Sequence, residues 1–178
     1  MNRWRRILRH RLFDDTDLRR ALDEAALARL EDRVRASERR HSGEIRLSVE
    51  AGLPLSYLWR GLTARDRAIT LFGKLRVWDT EANNGVLIYL LLAEHAIEIV
   101  ADRALARQVP AEHWQRLLGD MREAFRAGHF EQGLMRAIDE VEAELCRHFP
   151  LAPGQRNPNE LPDQLDLRSR PSVLRIDD

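Results

Sequence analysis

Asn83-Asn84-Gly85-Val86-Leu87-Ile88-Tyr89-Leu90-Leu91-Leu92, followed by Ala93-Glu94-His95 and then Ala96-Ile97-Glu98-Ile99-Val100-Ala101, decides the fold. The Asn-Asn-Gly triplet marks a turn, because asparagine and glycine tolerate the backbone angles that turns require. From Val86 to Leu92 every residue is apolar. A strand of that kind is covered on both faces and belongs in the middle of a sheet. After the short connection at 93–95, Ile97, Ile99 and Ala101 alternate with Glu98 and Val100. That pattern predicts a strand returning antiparallel as the hairpin partner of the first.

Working towards the N-terminus, Ile45, Leu47 and Val49 alternate with Arg46, Ser48 and Glu50. Period two with one apolar set is the signature of a strand with one face buried. Gly52 closes it, and Pro54 suits the first turn of a helix carrying Leu55, Leu58, Leu62, Ile69, Phe72 and Leu75 as its buried stripe. Strand, helix and strand over 44–92 form a βαβ unit with parallel strands and a right-handed crossover. Upstream, Asp14-Asp15-Thr16-Asp17 offers N-caps for one helix or two short ones on which Leu18, Leu22, Ala26, Leu30 and Val34 recur at near-helical spacing.

Working towards the C-terminus, Pro110 opens a helix with Trp114, Leu117, Leu118, Met121 and Phe125 on one face. Gly128 suits the residue after its end, and Phe130, Leu134, Ile138, Val141 and Leu145 carry the last helix. Five of the chain's seven prolines fall at or after Pro150, in a stretch without periodicity. The expectation is therefore an α/β protein, a three-layer αβα sandwich around a small mixed sheet. Its parts are a basic amphipathic segment over 1–13, an α/β domain over 14–149 and an extended or disordered tail over 150–178.

Lys and Arg total 29, Asp and Glu 29, giving zero formal charge. Zero balance argues against a protein that grips nucleic acid over its whole surface, and no nucleic-acid partner is expected. The balance is uneven, however: Arg3, Arg5, Arg6, Arg9 and Arg11 lie in residues 1–12 without an acid, leaving the remainder net negative by five. Cys146 is the only cysteine, so no intrachain disulfide or thiolate zinc cluster can form, and a reducing compartment, the cytoplasm, is expected. No apolar run approaches the ~20 residues of a membrane span, and Arg9-His10-Arg11 interrupts what would be the apolar core of a signal peptide. The nucleotide-loop, zinc-protease and nucleophile-elbow motifs are missing.

Four stretches carry a resemblance to a known family. They are His41-Ser42-Gly43-Glu44-Ile45 before the first strand, Asn84-Gly85-Val86-Leu87 at the central strand, Leu71 to Trp78 at the end of the crossover helix, and Phe125-Arg126-Ala127-Gly128-His129-Phe130-Glu131-Gln132-Gly133-Leu134 between the last two helices. Together, over roughly residues 17–147, they resemble the TPM domain family. The resemblance implies phosphatase activity and divalent-metal binding. Where that family places a glycine-rich segment after its third strand, this chain has Asp102-Arg103-Ala104-Leu105-Ala106.

That comparison places Asp102 at the same end of the sheet as Asp79, Glu81, Asn83 and Asn84. Asp79, Glu81, Asn84 and Asp102 are the candidate ligands for calcium or magnesium, which prefer carboxylate, amide and carbonyl oxygens. The competing account makes the aspartates helix caps and the asparagines turn residues. For phosphomonoester hydrolysis the candidate catalytic residues are Asp102, Arg103 and Glu112, a set that supplies both charge signs. The six histidines show no i, i+4 pair, and His113 beside Glu112 is the one to watch. Trp59, Trp78 and Trp114 are expected at the core or its edge.

Within the first twelve residues, Trp4, Ile7, Leu8 and Leu12 fall on one helical face with arginines mostly elsewhere. Such a helix either lies on an anionic membrane or a partner, or packs on its own acidic body. Two functions follow: an intracellular TPM-like accessory or binding domain peripheral to the inner membrane surface, or a divalent-metal-dependent phosphomonoesterase.

Overall fold

The computed structural model describes residues 3–169. In chain order the elements are α1 (Arg3–Leu12), α2 (Asp15–Ala21), α3 (Glu24–Glu38), β1 (Glu44–Glu50), α4 (Leu55–Trp59), α5 (Ala64–Lys74), β2 (Gly85–Leu91), a 3₁₀ turn (Leu92–Glu94), β3 (Ala96–Ala101), α6 (Arg103–Gln108), α7 (Ala111–Arg126), α8 (Phe130–His148) and β4 (Asp166–Arg168). The strands form one mixed sheet in the order β3-β2-β1-β4. β1 is parallel to both β2 and β4, and β3 runs antiparallel to β2.

The apolar run of β2 resolves into two opposite faces. Val86, Ile88 and Leu90 join Ile45, Leu47, Val49, Ile97 and Ile99 against the layer of α2, α3, α6, α7 and α8. Leu87, Tyr89 and Leu91 join Val100 against α4 and α5. All seven β2 residues are buried, which is the expected αβα sandwich with β2 covered twice. The first residue of β2 must be glycine, because a Cβ on Gly85 would stand 2.0 Å from the Val77 carbonyl oxygen.

Side-chain caps set several helix starts. Asp14 and Asp17 form a capping box at α2, Asp23 accepts from the Ala26 N–H at α3, and Thr63 and Asp66 form a second box at α5. That second box splits the helix predicted from Pro54 onward. With Gly61 at φ +71° the chain turns between α4 and α5, so the stripe loses phase: Ala64, Ala68 and Leu71 are buried, whereas Leu55 and Ile69 are exposed. Trp114 is buried as expected, but Trp59 and Trp78 are about half exposed. α6 starts at Arg103 with Asp102 as its N-cap, the role the competing account gives that aspartate.

The sheet also has one strand more than the periodicity predicts. Residues 150–169 run along the body instead of leaving it. Pro150 bridges His41, Asn157 donates to the carbonyls of His41 and Gly43 (3.0 Å each), and the Arg46 guanidinium bonds the carbonyls of Pro162 and Gln164. Ser48 donates to Asp166 (2.7 Å), where β4 joins the outer edge of β1. The rest of the expected tail, 170–178, lies outside the described residues, as do residues 1 and 2 of the arm.

Candidate functional site

The parallel strands β1 and β2 end together, with Glu50 in register with Leu91. In open α/β sheets this end commonly binds ligands. Here it carries a buried network beside a cleft of about 530 Å³ lined by Glu50, Arg67, Leu53, Leu55 and Arg168. Arg67 grips Glu50 with two hydrogen bonds (2.8 and 2.6 Å), and the Tyr89 hydroxyl donates to the same carboxylate (2.7 Å). The Arg67 guanidinium lies 5.1 Å from the centre of the Tyr57 ring. Burial lowers the Arg67 pKa, but hydrogen bonding and charge from Glu50 outweigh it and raise it; burial and Glu50 together raise the Tyr89 phenol. Both carboxylate oxygens are engaged, so Glu50 is a structural anchor and not an exposed base.

Above this network sits α1. His10 is buried, and its Nδ1 accepts the Leu53 N–H (3.1 Å), which leaves the proton on Nε2 to donate to Glu94 Oε1 (2.8 Å). Arg6 donates to the same oxygen (2.6 Å) and to the Leu62 carbonyl (2.8 Å). Burial works to raise the Glu94 pKa, but hydrogen bonds from His10 and Arg6 outweigh it and hold the carboxyl at about 2. Gly52 permits the approach, since a Cβ there would lie 2.7 Å from the His10 carbonyl oxygen.

This seating corrects the single apolar face read from the sequence. Ile7 turns inward with Arg6 and His10 and packs on the core, while Trp4, Leu8 and Leu12 point out at 62%, 62% and 69% exposure. α1 runs beside α4, where Trp4 meets Trp59 edge-on (5.7 Å between centres) and Arg3 lies 5.1 Å over the Trp59 ring. Leu55 and Trp59 of α4 are themselves about half exposed. The result is a two-helix surface of three leucines and two tryptophans, bordered by the exposed Arg3, Arg5, Arg9 and Arg60.

The sequence candidates gather at the opposite end of the sheet, but only in part. Asp102 is buried and caps α6, accepting from the Arg103 N–H (2.7 Å); its own N–H donates to the Gly85 carbonyl (2.8 Å). Arg103 reaches Asn83 Oδ1 (2.6 Å), and Asn84 donates to the Ser42 carbonyl (3.1 Å). Asn84 and Asp102 are thus brought to one corner, and each keeps a buried oxygen, Oδ1 and Oδ2 respectively, without a hydrogen-bond partner. Asp79 is on the surface paired with Arg76, Glu81 is exposed, and Glu112 is exposed in the first turn of α7, one short helix away. Among the described residues no three His, Cys, Asp or Glu side chains cluster closely enough to share an ion. The capping account therefore describes Asp102. Asp79 caps no helix.

Other buried acids escaped the sequence reading. Glu38 accepts the Ile45 N–H (3.0 Å) and Glu44 the Leu161 N–H (3.3 Å). Burial pushes their carboxyls up to about 8 and about 7. Nearby His41 bonds the Ser37 hydroxyl and the Gly43 carbonyl, and burial lowers it to about 4. His113 and His148 converge on Glu144, at 3.1 and 3.4 Å. His148 and Glu144 are an i, i+4 pair on α8 and Ser37 lies four residues before His41, spacings open to reading in the sequence, whereas His113 reaches Glu144 and Glu44 reaches Leu161 only through the fold.

The architecture defines an α/β domain in which Glu50, at the end of β1, is held by Arg67 and Tyr89 and in which the α1/α4 pair exposes Trp4, Leu8, Leu12, Leu55 and Trp59. The TPM domain model matches residues 16–144, and the chain belongs to that family. It is similar to the BA42 protein of the psychrophilic bacterium Bizionia argentinensis, solved by NMR, with 27% identity over 82% of this chain and 94% of that one and a TM-score of 0.70. It also shares its fold with the N-terminal domain of a P. gingivalis protein, with 22% identity over 74% of this chain and 82% of that one and a TM-score of 0.57. No curated protein matches. Among the described residues no helix is long and apolar enough to cross a membrane.

Proposed function

We propose that this TPM domain is an accessory binding domain that seats on an anionic membrane surface through the α1/α4 face. The observation that carries the reading is the joint exposure of Trp4, Leu8 and Leu12 on α1, which Arg6 and His10 fix to Glu94 of the body, and of Leu55 and Trp59 on α4, which Trp4 meets edge-on. A lone short helix anchors only marginally. α4 supplies the second element, and the arm is already ordered on the body, so little conformational entropy opposes seating. Arg3, Arg5, Arg9 and Arg60 would together contribute about 4 kcal/mol near anionic headgroups, at roughly 1 kcal/mol each. Co-sedimentation with phosphatidylserine-containing and pure phosphatidylcholine vesicles tests it. Pelleting should require the anionic lipid, weaken with salt, and fall at least tenfold in Leu8→Glu and in Trp59→Ala. Equal pelleting with both vesicle types, or unchanged pelleting of both variants, refutes it.

A second reading, a divalent-metal-dependent phosphomonoesterase, draws support from the two unpartnered oxygens of Asn84 and Asp102. Two oxygens fall short of the six to eight that calcium takes or the octahedron that magnesium takes, so Asp79 and Glu81 would have to move in to complete the set. Phosphomonoester turnover that depends on Ca²⁺ or Mg²⁺ and is lost in Asp102→Ala would establish it. If Asp102 only caps α6, that substitution costs about 1 kcal/mol of stability whatever the metal.

A further inference from the structure

β3 is an edge strand, and its open side forms the floor of a groove of about 690 Å³. The register fixes which peptide groups face that groove. Asp102 donates to the Gly85 carbonyl, so counting back by twos Val100, Glu98 and Ala96 bond β2. Ile97 and Ile99 then present their N–H and C=O groups outward. The Ile99 carbonyl confirms this, because it is taken by the Arg65 guanidinium of α5. On the other wall α7 contributes Trp114 and Leu118, and Arg126 stands exposed at the rim.

We infer that this groove is a strand-addition site for an extended peptide that alternates apolar residues and carries a carboxylate. Backbone complementarity argues for an extended chain: the outward groups of Ile97 and Ile99 repeat at strand spacing between two helical walls. The apolar wall of Trp114 and Leu118 suits alternate apolar side chains. Charge argues for the carboxylate. Glu94 is already held by Arg6 and His10, and Glu98 shares Arg65 at 3.5 Å, so Arg126 is the charge an incoming chain meets. Arg65 acts as a removable edge guard: while it caps the Ile99 carbonyl the strand cannot pair freely, and an incoming peptide N–H replaces it.

Amide hydrogen exchange of the full chain by NMR tests this. The probe is a seven-residue peptide alternating valine with threonine and ending in aspartate; a version with a central proline is the control. The alternating peptide should slow exchange at Ile97 and Ile99 at least tenfold while leaving Glu98 and Val100, already bonded to β2, unchanged. Arg65→Ala should strengthen binding by removing the competing guanidinium, whereas Arg126→Glu and Leu118→Lys should each weaken it tenfold or more. Equal binding of the proline peptide, no slowing at saturating peptide, or binding indifferent to Arg126→Glu overturns the inference. So does protection of Ile97 and Ile99 that appears without peptide as the protein is concentrated, which would assign the edge to a second copy of the chain.

Discussion

Replacing Glu94 with glutamine should loosen α1 from the body by an amount that the structure sets. The Glu94 carboxyl is held at about 2, against an ordinary value of 4.5. Two and a half units correspond to about 3.4 kcal/mol in favour of the charged over the neutral form, at about 1.36 kcal/mol per unit. Glutamine imitates the neutral form, and the side chain is about one-fifth exposed, so screening reduces the expected loss to about 2 kcal/mol. In a chain of this length that lowers Tm by roughly 4–8 °C. The local readout is the Leu53 amide, which donates to His10 Nδ1 and should exchange faster in Glu94→Gln. Because the folded pKa is depressed, the same stabilisation is fully present above pH 4.5 and is lost as pH falls towards 2. In a protein lacking residues 1–12 the substitution should have little further effect. A full-sized Tm drop in that truncated form, or an unchanged Leu53 amide in the intact Glu94→Gln protein, refutes the latch.

Three further outcomes follow from the same geometry. Glu38 and Glu44 have raised folded pKa values, so their contribution is present below about pH 4.5 and is lost as pH rises through 7 to 8; urea unfolding at pH 5 and 8 should show Glu38→Gln losing about 3–4 kcal/mol less than the parent over that interval, at about 1.36 kcal/mol per unit. Arg67→Met leaves the Glu50 carboxylate buried without its partner and should cost about 3–5 kcal/mol in urea unfolding, with part of the loss recovered when Glu50→Gln is added. Gly85→Ala forces a Cβ into the Val77 carbonyl and should cost more than about 4 kcal/mol, read as a collapse of Tm or failure to accumulate folded protein.

These predictions rest on contacts of very different legibility. The two-sided burial of β2, the alternation of β1 and β3, the Asp14 cap and the motif around Phe125 to Leu134 determined the sandwich and the TPM family, because burial period and capping chemistry are written in consecutive residues. The tertiary structure alone decided the remainder. β4 is three residues long and gains its place from hydrogen bonds to β1, so it has no period to read. Its capture brings residues 166–168 of the expected tail into the sheet. Glu38 and Glu44 carry no mark of their burial in the residues beside them. His10 and Glu94 lie 84 residues apart, and Glu50 finds Arg67 on the crossover helix 17 residues later. The first helix shows the difference most plainly: a helical wheel groups Trp4, Ile7, Leu8 and Leu12, but the body offers Glu94 and the Leu62 carbonyl as partners for Arg6 and His10. Those polar contacts rotate the helix until Ile7 is inside and the other three apolar residues face out. Local pattern sets which residues a helix can bury; the groups waiting on the rest of the protein set which ones it does.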